Sequence, residues 1–129
     1  KGWDLHATAG TEVRAVVAGT TSHHTGTDYG KYVTLTSAVD PTKTYQFCHL
    51  SAREPAGTVV AGAKIGETGT TGNASADRPH LHFIVRESGT ETDPDGKGFT
   101  KPTQVIEATG SSANAINYSD PEPCTPCSM

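Results

Sequence analysis

The segment PHLHFIVRE, residues 79–87, carries the strongest structural signal in the sequence. Its alternating and β-branched residues predict a strand from residue 80 to residue 87. Because residues i and i+2 of a strand project from the same face, His80 and His82 present two imidazoles to one surface, while Leu81 points to the other. Taken alone, such a pair is either a metal or catalytic site or two exposed side chains. The rest of the sequence has to distinguish these alternatives.

The remainder of the chain predicts an all-β fold. Gly and Pro stand between nearly all of the strand-like runs, where they favour reversal of the chain. No stretch has the apolar period of about 3.6 residues that marks a long amphipathic helix. Regularly spaced short strands indicate a compact antiparallel sandwich or barrel-like domain. In addition to 80–87, we predict strands at residues 3–6, 12–17, 31–37, 44–49 and 58–60.

Residues 20–30 form a polar stretch that we predict to be a loop. His23 and His24 lie within it, and adjacent side chains of an extended chain cannot both face one metal. The alternatives are two exposed imidazoles or a groove wall that contacts substrate. Tyr29 and Tyr32 lie near the same stretch and are candidates for the same wall, although single tyrosines at sheet edges are common.

A second polar stretch and the end of the chain bear on domain organisation. Residues 66–77 are rich in Gly and Thr and predict an ordered surface loop that leads into the 80–87 strand and could border a cleft. Residues 1–109 are expected to form one domain. Ser, Asn, Asp and Pro dominate after that point, so residues 110–129 are predicted to be an extension or linker whose order depends on a neighbour.

Charge and hydropathy exclude two classes of partner. The 129-residue chain has a formal net charge of −4 and no run of Lys or Arg. It therefore lacks the positive patch that nucleic acid or an anionic membrane would require. No stretch approaches the ~20 consecutive apolar residues of a membrane span, so no membrane insertion is expected. The chain begins at Lys1 rather than at Met, as expected of a processed protein or of a fragment of a longer one.

The cysteines, Cys48, Cys124 and Cys127, are odd in number and cannot all pair within one chain. Cys48 lies in an apolar, strand-like run and is interpreted as a small buried hydrophobe rather than a reactive thiol. Cys124 and Cys127 have the spacing of a redox motif or of half a metal site. They lie in a Pro-rich end, without the helix or the additional ligands that such sites need. Cys124 and Cys127 are therefore interpreted as a disulfide within the tail or as free thiols.

Four regions of sequence, each weak alone, occur in one order along residues 1–95. Together they resemble the lysostaphin-type (LytM-like) zinc metallopeptidases, a family of peptidoglycan endopeptidases. The resemblance implies a compact antiparallel β-structure with a groove across one sheet, in agreement with the strand pattern. The regions are GWDL (2–5) with GTEVRA (10–15), FCHLS (47–51), VAGAKIGETGTTG (60–72) and PHLHF (79–83).

The resemblance assigns roles to four residues of this chain. It places Asp4 and His82 on zinc-ligand positions, and His49 and His80 on catalytic positions that do not bind the metal. Zinc held by two imidazoles and one carboxylate keeps a fourth position for water, lowers the pKa of that water toward ~7 and polarises the scissile carbonyl. Two further imidazoles can accept the proton of the water, stabilise the oxyanion and protonate the leaving amine.

The family's third ligand is a His whose place in the motif falls immediately before Lys1, outside the chain. Three explanations stay open: the chain is a fragment cut after that His, a nearby group such as His6 replaces it, or the domain is a degenerate relative that binds zinc poorly. His6 is expected to share a strand face with Asp4, which alone is weak support for tetrahedral ligation. Without a third ligand the chain is expected to be inactive.

These features predict a zinc-dependent endopeptidase, with Zn²⁺ as cofactor and peptidoglycan stem peptides or cross-bridges as substrate. The expected location is outside the cytoplasm, in a secreted lysin, the cell envelope, or a phage or injection particle that breaches a cell wall. A larger assembly formed through the C-terminal extension is a further expectation. The alternative from another class is a non-catalytic binding or scaffold module that keeps the groove but has an incomplete metal site.

Overall fold

The computed structural model of the chain describes residues 2–74, 77 and 79–92. This part of the chain is all-β and antiparallel, as predicted. Its strands form one sheet that is not closed into a barrel. No helix long and apolar enough to cross a membrane is found among these residues. The predicted extension at 110–129, with Cys124 and Cys127, lies outside them. The strands are β1 (Trp3–His6), β2 (Glu12–Arg14), β3 (Gly19–Gly26), β4 (Gly30–Ser37), β5 (Lys43–Arg53), β6 (Thr58–Val59), β7 (Lys64–Thr68), β8 (His80–Glu87) and β9 (Thr90–Thr92).

Strand β5, with 11 residues, organises the sheet. It pairs with β8 on one side and with β4 on the other, and its last residues pair with β7. The main path of neighbouring strands is β1-β8-β5-β4-β3-β6, with β2 paired to β7 and β9 paired to β8. This order brings the first strand of the chain beside β8, which is far from it in sequence. The fold therefore joins the two sequence regions that carry Asp4 and the His-x-His motif.

The hydrophobic core packs against one face of β8. Phe83 lies near its centre, with its ring centroid 5.3 Å from that of Phe47 and 6.3 Å from that of Tyr45. Leu81 and Val85, two positions to either side, are also buried. Because these alternate residues are held in the core, the histidines between and before them are fixed on the opposite face of the strand. Other members of the core are Trp3, Leu5, Val13, Ala15, Val33, Leu35, Leu50 and Ile65.

The strand predictions are confirmed in part: β2 ends at Arg14, before the predicted residue 17, and β7 was not predicted as a strand. The structure places β1 and β8 at the predicted bounds, while β5 extends beyond the predicted 44–49 at both ends. The prediction that residues 20–30 form a loop is wrong, because most of them belong to β3. Most side chains of β3 are exposed, so its sequence has no apolar alternation, and the strand is stabilised by its full ladder with β4. Likewise, residues 66–68 of the second predicted loop belong to β7.

Candidate active site

The pairing of β1 with β8 places Asp4 directly opposite His82. Side chains at opposed positions of an antiparallel pair lie within contact distance of each other. Nδ1 of His82 accordingly donates a hydrogen bond of 2.6 Å to Oδ1 of Asp4. The same carboxylate oxygen lies 3.6 Å from Nε2 of His80. One carboxylate therefore contacts both imidazoles of the His-x-His motif.

Asp4 is buried among these rings. Burial by itself raises the pKa of its carboxyl group, because it disfavours the charged form. The hydrogen bond from His82 and the electrostatic effect of His82, His80 and His49 outweigh burial, and the pKa lies below its ordinary value. Asp4 is consequently an anionic oxygen donor at neutral pH.

His49 reaches the site because β5 contains an irregularity. Val33 of β4 pairs with Phe47, but Lys31 pairs with Leu50, so β5 holds one residue more than β4 between these two pairs. His49 has a positive φ of 67°, and such a bulge redirects the side chains at its position. Its ring centroid lies 4.8 Å from that of His80.

Hydrogen bonds fix both the backbone and the ring of His49. Its amide donates to the Tyr29 carbonyl at 2.8 Å, and its Nδ1 lies 2.7 Å from the Thr71 carbonyl oxygen. A carbonyl only accepts, so Nδ1 carries the proton and Nε2 is the basic nitrogen. Burial lowers the pKa of His49, and His80 and His82 lower it further, whereas the bond to Thr71 and the charge of Asp4 act in the opposite direction. The pKa of His49 is lowered overall. The ring is therefore favoured in its neutral form, which can accept a proton.

These side chains line one cavity of about 320 Å³. All four residues singled out from the sequence are brought together there, although Asp4 and His82 are separated by most of the described chain. The sequence analysis did not name Asn73 and Ala74, although both belong to the 66–77 stretch that was expected to border a cleft. The complete lining is Asp4, Tyr29, His49, Asn73, Ala74, His80 and His82.

The candidates for a groove wall separate into two groups. Tyr29 lines the cavity, and its ring stacks on that of His82 at a centroid distance of 6.1 Å. Tyr32 contacts Tyr29 edge to face at 5.5 Å. His24 is exposed and stacks on Tyr32 at 5.1 Å, while Nε2 of His23 lies 2.7 Å from the Glu54 carbonyl. Neither His23 nor His24 is part of the cavity lining.

The donor atoms of the cavity fit zinc in their chemistry. Carboxylate oxygen and imidazole nitrogen are ordinary zinc ligands, and a catalytic zinc takes three protein ligands. Asp4 and His82 supply one donor of each kind. Among the described residues, no set of three His, Cys, Asp or Glu side chains is arranged to hold a metal ion. The backbone of His6 pairs with His80, and the position of its side chain lies outside what the structure describes.

Several solved structures resemble this chain. A putative peptidase M23 from Pseudomonas aeruginosa is 30% identical with a TM-score of 0.63, over 70% of this chain and 40% of that one. The catalytic domain of the antimicrobial peptidase lysostaphin from Staphylococcus simulans is 27% identical with a TM-score of 0.62, over 70% of this chain and 72% of that one. A mutant catalytic domain of the prophage-encoded M23 protein EnpA from Enterococcus faecalis, 24% identical, shares the fold with a TM-score of 0.64, over 74% of this chain and 75% of that one.

The chain therefore spans less than half the length of the Pseudomonas aeruginosa protein. Comparison with curated protein sequences gives no match. The sequence model of peptidase family M23 matches residues 1–94, which include every strand described above and all the residues of the cavity. The chain belongs to peptidase family M23.

Proposed function

We propose that this protein is a zinc-dependent endopeptidase that cleaves stem peptides or cross-bridges of peptidoglycan. The observation that carries the proposal is the convergence of Asp4, His49, His80 and His82 on one cavity, in a chain that belongs to a peptidase family. A carboxylate beside three imidazoles provides both metal donors and proton carriers.

Asp4 and His82 are the proposed zinc ligands, with a third ligand proposed immediately before Lys1. When bound, zinc activates a water molecule and polarises the carbonyl of the scissile peptide bond. The hydrogen bond between Asp4 and His82 holds the two donors side by side. The lowered pKa of Asp4 keeps its carboxylate ionised, as a ligand has to be.

His49 and His80 are the proposed catalytic residues. His49 is neutral and holds its proton on Nδ1, so its Nε2 can accept the proton of the attacking water and return it to the leaving amine. His80, whose ring packs against that of His49, is proposed to donate a hydrogen bond to the developing oxyanion. The two rings thus divide proton transfer and charge stabilisation between them.

The proposed substrate follows from the shape of the site and from the relatives. The cavity of about 320 Å³ lies at the lower end of the range for small-ligand pockets, a size that accepts a peptide segment. Lysostaphin, an antimicrobial peptidase, is 27% identical to this chain. Peptidoglycan lies outside the cytoplasm, so we propose that the protein acts there, with residues 110–129 as a linker to a larger assembly.

A second candidate function is a binding or scaffold module that keeps the groove without cutting. It is favoured by one observation: no complete set of three metal-binding side chains occurs among the described residues. Such a module would hold wall peptides in the same cavity but would lack the activated water.

Digestion of purified peptidoglycan by the full-length protein separates the two candidates. An endopeptidase releases soluble fragments with new amino groups and no new reducing ends, and His49→Ala should slow the release by roughly 10²- to 10⁴-fold. A binding module would sediment with the wall and release nothing. New reducing ends would instead indicate cleavage of the glycan and would contradict the proposal.

A further inference from the structure

The turn before β4 and the segment between β7 and β8 lie in close backbone contact at two glycines, Gly30 and Gly72. Gly30 is the first residue of β4, directly after the β3–β4 turn, and Gly72 lies in the segment between β7 and β8. Both have a positive φ, 66° and 76°. A Cβ on Gly30 would overlap the backbone of Thr71, and one on Gly72 would overlap the Asp28 carbonyl. The Asn73 amide also donates to that carbonyl at 2.9 Å. Backbone approach this close is possible only without side chains.

Thr71, next to this contact, binds both strands around His49. Its hydroxyl donates to the Leu50 carbonyl at 2.8 Å and accepts from the Lys31 amide at 3.1 Å. Lys31 and Leu50 are the pair that closes the irregularity of β5 on one side. The carbonyl of Thr71 accepts from Nδ1 of His49 at 2.7 Å. Thr71 therefore contacts both β4 and β5 beside His49, and it also contacts the ring of His49.

We infer that Thr71 is a positioning residue that selects the tautomer and orientation of His49. A neutral imidazole has two tautomers, and the terminal torsion of a His side chain is broad, so the ring needs a fixed acceptor to hold one state. The hydroxyl of Thr71 ties its carbonyl to the β4–β5 pair, and the carbonyl in turn keeps the His49 proton on Nδ1. The catalytic meaning of this arrangement rests on the proposed function, whereas the arrangement itself does not.

The inference is tested by changing only the hydroxyl. Thr71→Val removes it at nearly constant shape, and Thr71→Ser restores it. Nitrogen NMR of the full-length protein labelled at histidine reports the tautomer of His49, with the signals assigned by their loss in His49→Gln. We expect the Nδ1–H form in the wild type and in T71S, and a mixture of tautomers in T71V. On purified peptidoglycan, T71V should lower kcat by roughly 10- to 100-fold with KM unchanged, as misplacement of a catalytic group does, and T71S should recover most of the rate.

A wild-type His49 that carries its proton on Nε2 would overturn the inference, and so would a T71V protein with an unchanged tautomer and an unchanged kcat. Should T71V fail to fold, the wild-type and T71S spectra still decide which nitrogen is protonated. If the wild-type protein leaves peptidoglycan intact, the proposed function fails, yet the spectra still decide the role of Thr71.

Discussion

Hydrogen bonds hold three of the polar side chains of the cavity in two separate arrangements. Asp4 and His82 bind each other at 2.6 Å, whereas the His49 ring is bound to the backbone of Thr71. A side chain held by a carbonyl through one nitrogen keeps the other nitrogen for chemistry. His80 joins the two arrangements, because its Nε2 lies 3.6 Å from Oδ1 of Asp4 and its ring packs on that of His49. The proposed division into ligands and catalysts is therefore tested residue by residue.

Replacement of His82 by Ala should remove most of the zinc from the full-length protein. The reason is that a catalytic zinc has only three protein ligands, so the loss of one leaves an incomplete site. Elemental analysis of the purified protein measures the zinc content. His23→Ala is the matched control, since His23 lies outside the cavity and contacts the Glu54 carbonyl. Equal zinc in the wild type and in His82→Ala would exclude His82 as a ligand.

His49→Ala and His80→Ala should keep their zinc and lose activity on peptidoglycan. General acid–base groups contribute roughly 10²- to 10⁴-fold to a rate, so a loss of that size is expected for each variant. Elemental analysis and the rate of fragment release are measured on the same samples. If His80→Ala lost zinc as completely as His82→Ala, the proposed separation between ligand and catalyst would be wrong.

Cys48 should be unreactive in the folded protein. It is fully buried, and burial raises the pKa of its thiol from 9.0 to about 12, so the reactive thiolate is absent at neutral pH. In a variant with Cys124→Ser and Cys127→Ser, iodoacetamide should modify Cys48 only after unfolding, as seen by mass spectrometry. Rapid modification of the native protein at neutral pH would contradict this.

The raised pKa of Cys48 also has a consequence for stability at high pH. Below about pH 9 the thiol is neutral in both the folded and the unfolded chain. Above that value the unfolded chain releases the proton while the folded chain keeps it, so this contribution to stability is lost as pH rises toward 12. Substitution by Ala should reduce this alkaline loss in a pH series of denaturant unfolding.

At the scale of elements, the contact between the β3–β4 turn and the β7–β8 segment determines the wall of the cavity. Gly72→Ala should destabilise the protein by more than the roughly 1–3 kcal/mol of an unfavourable positive φ, because the new Cβ also overlaps the Asp28 carbonyl. Gly89→Ala is the matched control: Gly89 has a φ of 82°, but a Cβ there meets nothing within 4 Å. Denaturant unfolding measures both variants. Equal losses would show that backbone conformation alone, and not the contact between the loops, accounts for the effect.

For the whole molecule, stability should come from the core and not from the metal. The buried side chains around Phe83 contribute about 25 cal/mol for each Å² of apolar surface removed from water. A chelator should therefore change the melting temperature little, whereas Phe83→Ala should cost about 3–5 kcal/mol. Thermal unfolding with and without EDTA measures the first effect. A fall in melting temperature with EDTA as large as that caused by Phe83→Ala would mean that the metal holds the fold together.

The sequence by itself determined the all-β class, the bounds of β1 and β8, and four residues that the structure brings to one cavity, Asp4, His49, His80 and His82. It could do so because β8 has a buried face, whose alternation is visible in the sequence, and because the segments around Asp4, His49 and the His-x-His motif resemble a known family. These signals are local: each can be read from a few adjacent residues.

Only the tertiary structure decided the exposed strand β3, the orientation of His49 and the contacts of Thr71. Strand β3 is mostly exposed and exists because its backbone pairs with β4. The irregularity that redirects His49 depends on the register between β4 and β5, and the role of Thr71 depends on the glycine contact between two loops distant in sequence. Each of these features arises from backbone hydrogen bonds and steric fit between distant segments, and such interactions leave no periodic pattern of side chains in the sequence.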